Sequence, residues 1–345
     1  MKKWISIVLA ALMSTALLAS CGGGENKPAA DDKSETTADA TAETQESSGE
    51  ATEEKASGDK LKIGFSISER DQFLTKLETA LTKAAKENNV ELTAFDSQQD
   101  VQKQMDHIAT FASQNFDAII VNLVDTNTTD TIIQGANGIP VVFVNRLPEE
   151  DKMVEGKTTY VGSDEKQAGG IQAEFLTEYF KEKDITNIRY VMLMGTLGLP
   201  HTTMRTEYAK KGLEDAGFTL EKVFEDTAQF DRAKAMEMMQ QFLGTGKEFD
   251  VVISNNDEMA LGAIEALRAV GTTDIPVVGI DATSNAIAAI EAGEMACSVF
   301  QNAAGQGTGA IDAAVALAKG ESVEAYNWVP YELVTKENAA EYKDK

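Results

Sequence analysis

The sequence predicts an α/β protein of doubly wound parallel sheets, and two features carry that prediction. From Lys60 onward, apolar runs of four to eight residues alternate with longer segments whose apolar residues recur at helical spacing. Runs such as Val277-Val278-Gly279-Ile280 are apolar at successive positions, the pattern of strands covered on both faces. Strand and helix in alternation imply parallel sheets with right-handed crossovers. Ten candidate strands, with a marked turn at Tyr160-Val161-Gly162-Ser163-Asp164 near the middle, favour two sheets over one.

The elements follow in order. Strands are expected at Leu61–Ser66, Val90–Phe95, Ala118–Val124, Ile139–Asn145 and Thr159–Gly162, then at Ile188–Met194, Leu220–Phe224, Val251–Asn255, Pro276–Asp281 and Met295–Gln301. Helices are expected between them at Phe73–Glu87, Val101–Gln114, Gln167–Phe180, Met204–Ala216, Arg232–Leu243, Glu258–Val270, Asn285–Ala292 and Gly305–Lys319. His107 falls within the Val101 helix and reads as surface or hinge structure. The stripe Met236, Met238, Met239 reads as helix packing.

The N-terminus is of another kind. Lys2 and Lys3 precede the apolar run Ile5–Leu18, and Leu18-Ala19-Ser20-Cys21 closes it, the layout of a secretory signal. A cysteine directly after small residues resembles the bacterial lipoprotein signal, in which that cysteine is diacylated. Residues 1–20 are therefore expected to be a signal peptide and Cys21 the lipidation site. From Gly22 to Lys60 the chain has no aromatic residue and no Leu, Ile, Val or Met, so nothing there builds a core. Residues 21–59 are expected to be a disordered acidic tether, with a root-mean-square reach of roughly 35 Å. Two acyl chains anchor stably where one is marginal, which places the protein outside the cytoplasm on a cell membrane.

About 285 residues remain after the tether, enough for two lobes. The formal net charge of -25 argues against nucleic acid or an anionic surface as the main partner. With Cys21 assigned to lipid, Cys297 has no partner and is expected to be buried and inert.

Ligands of open α/β sheets bind beyond the carboxyl ends of the strands. The polar residues there are Asn145-Arg146, Asn255-Asn256-Asp257, Asp281 and Gln301-Asn302. Taken singly, each is equally well a turn or a helix cap, and Asp257 is expected to cap the Glu258 helix. Their repetition, together with Arg205 and Phe230, favours a polar pocket with an aromatic wall.

The chain from Lys60 to the C-terminus resembles the bacterial ABC-transporter substrate-binding proteins for monosaccharides, the galactose/glucose-binding and ribose-binding proteins above all. The runs that carry the resemblance are Val121–Asp125, Ile139–Asn145, Thr159–Gly169, Asn255–Ala269, Ile275–Thr283 and Val329–Tyr342. The resemblance implies the type I periplasmic binding protein fold: two Rossmann-like lobes joined by three hinge crossings, closing over one sugar. It sets the N-terminal lobe at 60–163 and 302–328, and the C-terminal lobe at 164–301 and 329–345. It implies ABC permease subunits that receive the ligand, and a monomer is expected.

Carried over residue by residue, the resemblance implies Asp71 and Phe73 on the first strand-to-helix loop, and Asn145 with Arg146 at the end of the fourth strand. Arg205 matches the sugar-binding arginine at the start of a helix, Phe230 takes the place of the second stacking aromatic, and Asn256, Asp281 and Gln301 complete the set. His201, in Leu199-Pro200-His201, stands where the galactose/glucose pattern has a different polar pair. These residue types suit a sugar: hydroxyls donate and accept, so they call for carboxylates, cations and amides, while the CH faces lie against aromatic rings. Asp71 and Asn145 are the hexose-type choices; Phe230 and Gln301 are the ribose-type ones. Glucose or galactose is the expected ligand, with a pentose as the alternative. The calcium loop of the enteric galactose/glucose-binding proteins has no counterpart at Glu182–Asn187, so no metal and no cofactor are expected.

Catalysis is not expected. Two carboxylates facing a sugar, Asp71 and Asp281, invite comparison with a glycosidase pair. Against that, the chain has two histidines, no G-x-S-x-G elbow and no phosphate-cradling loop. A transcriptional regulator of the same sugar-binding fold would need a basic helix-turn-helix before Lys60. A receptor module for a chemoreceptor or sensor kinase remains open on sequence.

Overall fold

The computed structural model describes residues 60–343 and 345; the expected signal peptide, Cys21 and the tether lie outside them. The first sheet is wholly parallel. Its strands are β1 (Lys62–Ile67), β2 (Glu91–Asp96), β3 (Ala118–Val121), β4 (Val141–Val144), β5 (Thr158–Gly162) and, late in the chain, β11 (Tyr326–Trp328), ordered β11-β5-β4-β3-β1-β2. The chain runs from β1 to β2 on one side, then returns to β3 on the other, which makes a topological switch point between β1 and β3. Helices α1 (Gln72–Glu87) and α9 (Ala303–Ala318) cover one face; α2 (Val101–Ser113) and α3 (Thr129–Gly135) cover the other.

The period of two is visible in the packing. Ile63, Phe65, Ile120, Val142 and Val144 face α1 and α9, whereas Ile119, Val121, Val141 and Phe143 face α2 and α3, all of them buried. That double coverage explains the continuous apolar runs.

The second sheet repeats the plan with β6 (Asn187–Met194), β7 (Thr219–Thr227), β8 (Val251–Ser254) and β9 (Val277–Val278), all parallel in the order β7-β6-β8-β9. Single parallel bridges, Val278 to Cys297 and Asp281 to Phe300, continue it toward β10 (Ser298–Phe300). β12 (Glu332–Val334) then pairs antiparallel with β10. Helices α4 (Glu165–Lys181) and α5 (Pro200–Asp215) lie on one face; α6 (Arg232–Leu243), α7 (Asp257–Ala269) and α8 (Ser284–Ala292) lie on the other. Met239 is buried in that second layer, with Met236 and Met238 packed against it.

Three segments join the lobes: β5 to α4, β10 to α9, and β11 to β12. They are held side by side, since β11 pairs with β5 and the Val329 N–H donates to the Gly162 carbonyl at 2.8 Å.

The ten expected strands and eight expected helices all form. Ala118–Val124 is shorter than expected, ending at Val121, and within Pro276–Asp281 only Val277–Val278 pairs as a regular strand. The later residues turn away as strand-end loops, where Asp281 and Ala282 take positive φ of 120° and 50°. Asp257 does not cap α7. Asn256 does, accepting from the Met259 N–H at 3.0 Å. Asp257 instead points inward, accepting from the Thr283 N–H at 2.7 Å and the Ser298 hydroxyl at 2.6 Å. It thereby anchors the strained loop that carries Asp281.

Candidate ligand site

The carboxyl ends of both sheets face one small cavity of about 30 Å³, lined by Asp71, Phe73, Leu74, Asn145, Arg146, His201, Arg205, Phe230, Asn256, Asp281 and Gln301. All ten residues singled out in the sequence come together there, with Leu74 in addition. The structural reason is the placement of each at a strand end. Asp71 follows β1, Asn145 and Arg146 follow β4, His201 and Arg205 open the helix after β6, Phe230 follows β7, Asn256 follows β8, Asp281 follows β9 and Gln301 follows β10.

Local geometry decides what each side chain offers. Asp71 is the N-cap of α1, where Oδ1 accepts from the Leu74 N–H at 2.6 Å; among the described residues no side chain donates to Oδ2. Burial pushes its carboxyl up to about 6, against the pull of the Leu74 N–H. Asp281 accepts no side-chain hydrogen bond, and its nearest cation, Arg205 Nη1, is 3.9 Å away. Burial raises it well above the usual carboxylate range, with Arg205 opposing.

Asn145 sits at φ 65°. Its Oδ1 accepts from Asn122 Nδ2 at 3.2 Å and its Nδ2 donates to Gln306 Oε1 at 3.3 Å. The amide is thus held in one orientation, with one lone pair and one N–H left over. Asn256 is similarly occupied, since its Oδ1 caps α7 and its Nδ2 donates to the Phe230 carbonyl at 3.3 Å.

The two arginines are mostly committed inward. Arg205 donates through Nε to Glu165 at 2.5 Å and through Nη1 to the Asn255 carbonyl at 2.8 Å. Its Nη2 reaches Gln301 Oε1 at 3.3 Å and the Tyr331 hydroxyl at 3.0 Å. Four of its five N–H groups are used. Arg146 donates to the Leu123 carbonyl at 2.7 Å and to Glu69 at 3.1 Å. Sequence reasoning missed Glu165, buried beneath the cavity, and Tyr331, whose hydroxyl lies 2.9 and 3.0 Å from the Glu165 oxygens. Burial pushes the Glu165 carboxyl up, but Arg205, with His201 and Tyr331, more than reverses this and holds it below its ordinary value.

His201 and Arg205 are four apart on α5 and so share a face. His201 Nε2 lies 3.2 Å from Glu165 Oε1 without forming a hydrogen bond to it. Burial lowers His201 to about 4, which leaves the ring neutral at pH 7. Among the described residues neither ring nitrogen has a hydrogen-bond partner, nor does Gln301 Nε2. Buried polar atoms without partners are uncommon, and these line the cavity. The walls are Phe73, buried on α1, and Phe230, held at φ 62°. Gly195 makes room for the second ring, because a Cβ there would stand 2.0 Å from Phe230 Cζ.

His107 is elsewhere, on α2, its Nδ1 3.1 Å from the Ser66 hydroxyl and its ring 5.1 Å from Phe95. Cys297 is buried. Among the described residues no group of three or more His, Cys, Asp or Glu is placed to hold a metal ion, and no helix is long and apolar enough to cross a membrane.

A family model described as a periplasmic binding protein domain matches residues 63–322. The chain belongs to the periplasmic binding protein family. A putative rhizopine-binding protein of Rhizobium meliloti is 42% identical over 285 residues, 80% of this chain and 90% of that protein. The D-galactose/methyl-galactoside binding periplasmic protein of Haemophilus influenzae is 32% identical over 303 residues, 81% of this chain and 91% of that one. Among solved structures, an ABC transporter solute binding protein from Bacillus halodurans with bound myo-inositol superposes with a TM-score of 0.77 at 41% identity, covering 82% of this chain and 97% of that one. As a periplasmic binding protein the chain is an extracytoplasmic solute-binding protein.

Proposed function

We propose that this protein is the binding subunit of an ABC importer and captures a neutral, polyhydroxylated six-membered ring between two lobes, residues 60–163 with 302–328 and 164–301 with 329–345. The observation that carries the reading is the set of free hydrogen-bonding positions around one buried cavity. The His201 nitrogens and Gln301 Nε2 have no partner among the described residues, and Asp71 Oδ2 and the Asp281 carboxyl accept from no side chain there, between the apolar walls Phe73 and Phe230. Hydroxyls around a ring's rim supply those partners and its CH faces meet the aromatic walls. A pyranose hexose such as glucose or galactose fits this description, and the galactose-binding relative supports it.

A second reading, myo-inositol, is supported by the 41% identical structure that holds it. The free positions are rich in acceptors, and every substituent of a cyclitol is a hydroxyl that donates, whereas a pyranose ring oxygen only accepts. Diacylated Cys21 and the tether of residues 21–59 hold the domain at the membrane, where a monomer delivers its ligand to the permease.

Calorimetric titration with D-glucose, D-galactose, myo-inositol and D-ribose tests the reading. Ribose offers fewer rim hydroxyls and leaves a buried carboxylate unpaired, which costs about 1–3 kcal/mol. The tightest six-membered ring is therefore expected to bind at least about tenfold better than ribose. Ribose binding tighter than all three overturns the reading, and the order among the other three decides between hexose and cyclitol.

A further inference from the structure

The side chains that line the cavity are also the ones that fasten the hinge. On the second-sheet side, Arg205 is bonded to one residue in or next to each of the three crossings. Glu165 stands at the start of α4, just past the first crossing; Gln301 is in the second; Tyr331 is in the third. Tyr331 closes the set, because its hydroxyl accepts from Arg205 Nη2 and donates to Glu165, while its backbone N–H donates to Gln167 Oε1 at 3.2 Å. The whole cluster is buried. On the first-sheet side, Asn145 reaches the first crossing by a parallel route: its Nδ2 donates to Gln306 Oε1, and Gln306 Nε2 donates to the Ser163 hydroxyl at 3.1 Å. Gln306 itself lies one turn into α9, directly after the second crossing.

We infer that Tyr331 is a positioning residue that joins the cavity-lining Arg205 to the three crossings, so that a ligand held by Arg205 fixes the hinge through the Tyr331 hydroxyl. The geometry gives a reason for a tyrosine. A hydroxyl both accepts from a guanidinium and donates to a carboxylate, so it sits between two opposite charges without adding a third. A phenyl ring at the same place keeps the packing and loses both bonds.

The test is Tyr331→Phe in the full chain, read by amide hydrogen exchange with and without myo-inositol. In the ligand-free protein, the Val329 and Tyr331 amides are expected to exchange about tenfold faster than in wild type, as for one lost hydrogen bond to a charged pair. Core amides such as Ile63 and Val142 stay within about twofold. Such locally raised exchange is sub-global opening at the crossings. Acceleration of all amides by one common factor means that Tyr331 only stabilises the fold, and no change at the crossings means that it does not hold them; either result overturns the inference. With myo-inositol, which rests on the ligand reading above, wild type gains protection at the crossings and the variant gains at least about fivefold less. Equal gains in the two proteins overturn the coupling. Absence of myo-inositol binding to wild type counts against the cyclitol reading, while the ligand-free comparison still judges the hinge.

Discussion

Asp71 makes the ligand site sensitive to pH in a direction that follows from its position. Its carboxyl caps α1 through Oδ1, lies at the edge of the buried cavity and is pushed from 3.8 up to about 6 by burial. A shift of that size corresponds to about 3 kcal/mol between the two protonation states. Because Asp71 is partly open to solvent, screening reduces the stability it reports to about 1–2 kcal/mol. The sign is that of a raised acid. The folded, ligand-free protein binds this proton more tightly than the unfolded chain, so the contribution to stability is unfavourable above about pH 6. It is recovered as pH falls toward 4. Asp71→Asn keeps a good N-cap and removes the charge, so the ligand-free variant is expected to be more stable than wild type by about 1–2 kcal/mol at pH 7.5. By pH 4 the difference disappears.

Binding runs the other way. A ring hydroxyl donating to Oδ2 favours the ionised form and draws the carboxyl back toward its ordinary value. The ligand then releases a proton near pH 6, and affinity falls about tenfold between pH 7.5 and 5. Calorimetry in two buffers of different ionisation enthalpy measures the proton directly, and urea melts across pH measure the stability term. A dissociation constant that is flat from pH 7.5 to 5 in wild type, or one that falls equally in wild type and Asp71→Asn, would refute the assignment of Asp71 to the ligand. Asp281 and Asp257 are raised as well; because the Asp71 charge helps to raise Asp281, Asp71→Asn lowers Asp281 in the same direction.

Two further outcomes are expected. Arg205→Ala strips the buried Glu165 of its cation and frees Tyr331 and Gln301, so urea unfolding should show a loss of about 3–5 kcal/mol along with any loss of affinity; a variant as stable as wild type would mean the cluster is not formed. Cys21→Ser should release the protein from the membrane fraction or leave it unprocessed, and a fully bound, normally processed variant would remove Cys21 as the anchor.

The fold was legible because both sheets are covered on both faces, which leaves each interior strand a continuous apolar run between turn residues. What escaped lacks that signature. The α3 segment Thr129–Gly135 has only two large apolar residues, Ile132 and Ile133, among Thr, Asp, Gln and Gly. The β11 and β12 strands are three residues each and pair with strands far away in sequence. At the site, strand-end position located the polar residues but not their direction. Asp257 follows Asn256 immediately, and one peptide unit separates a cap at the cavity from a buried anchor. Glu165 lay hidden for a similar reason, since a glutamate in the first turn of a helix ordinarily complements the helix dipole in solvent. Only the approach of Arg205 and Tyr331 from distant segments makes it a buried counter-ion.

If the lobes close over a ligand as proposed, the charges around the cavity oppose closure of an empty cleft. Arg146 is matched by Glu69 at 3.1 Å, and Arg205 by Glu165 at 2.5 Å. That leaves Asp71 on the first sheet and Asp281 on the second without a cation of their own, and each carboxylate is raised above its ordinary value. The charge on Asp71 is among the causes that raise Asp281. Bringing the two lobes together without a ligand therefore brings two poorly paired carboxylates into one dry space, at a cost in desolvation and repulsion. Ring hydroxyls donating to both remove that cost, and they do so only when the lobes are shut, because each carboxylate belongs to a different sheet. The ligand's preference for the closed form is then its differential affinity for the two states, the quantity that shifts their population. A ligand carrying its own carboxylate would bring a further anion beside Asp71 and Asp281, neither of which has a cation of its own, which is why the proposed ligand is a neutral one.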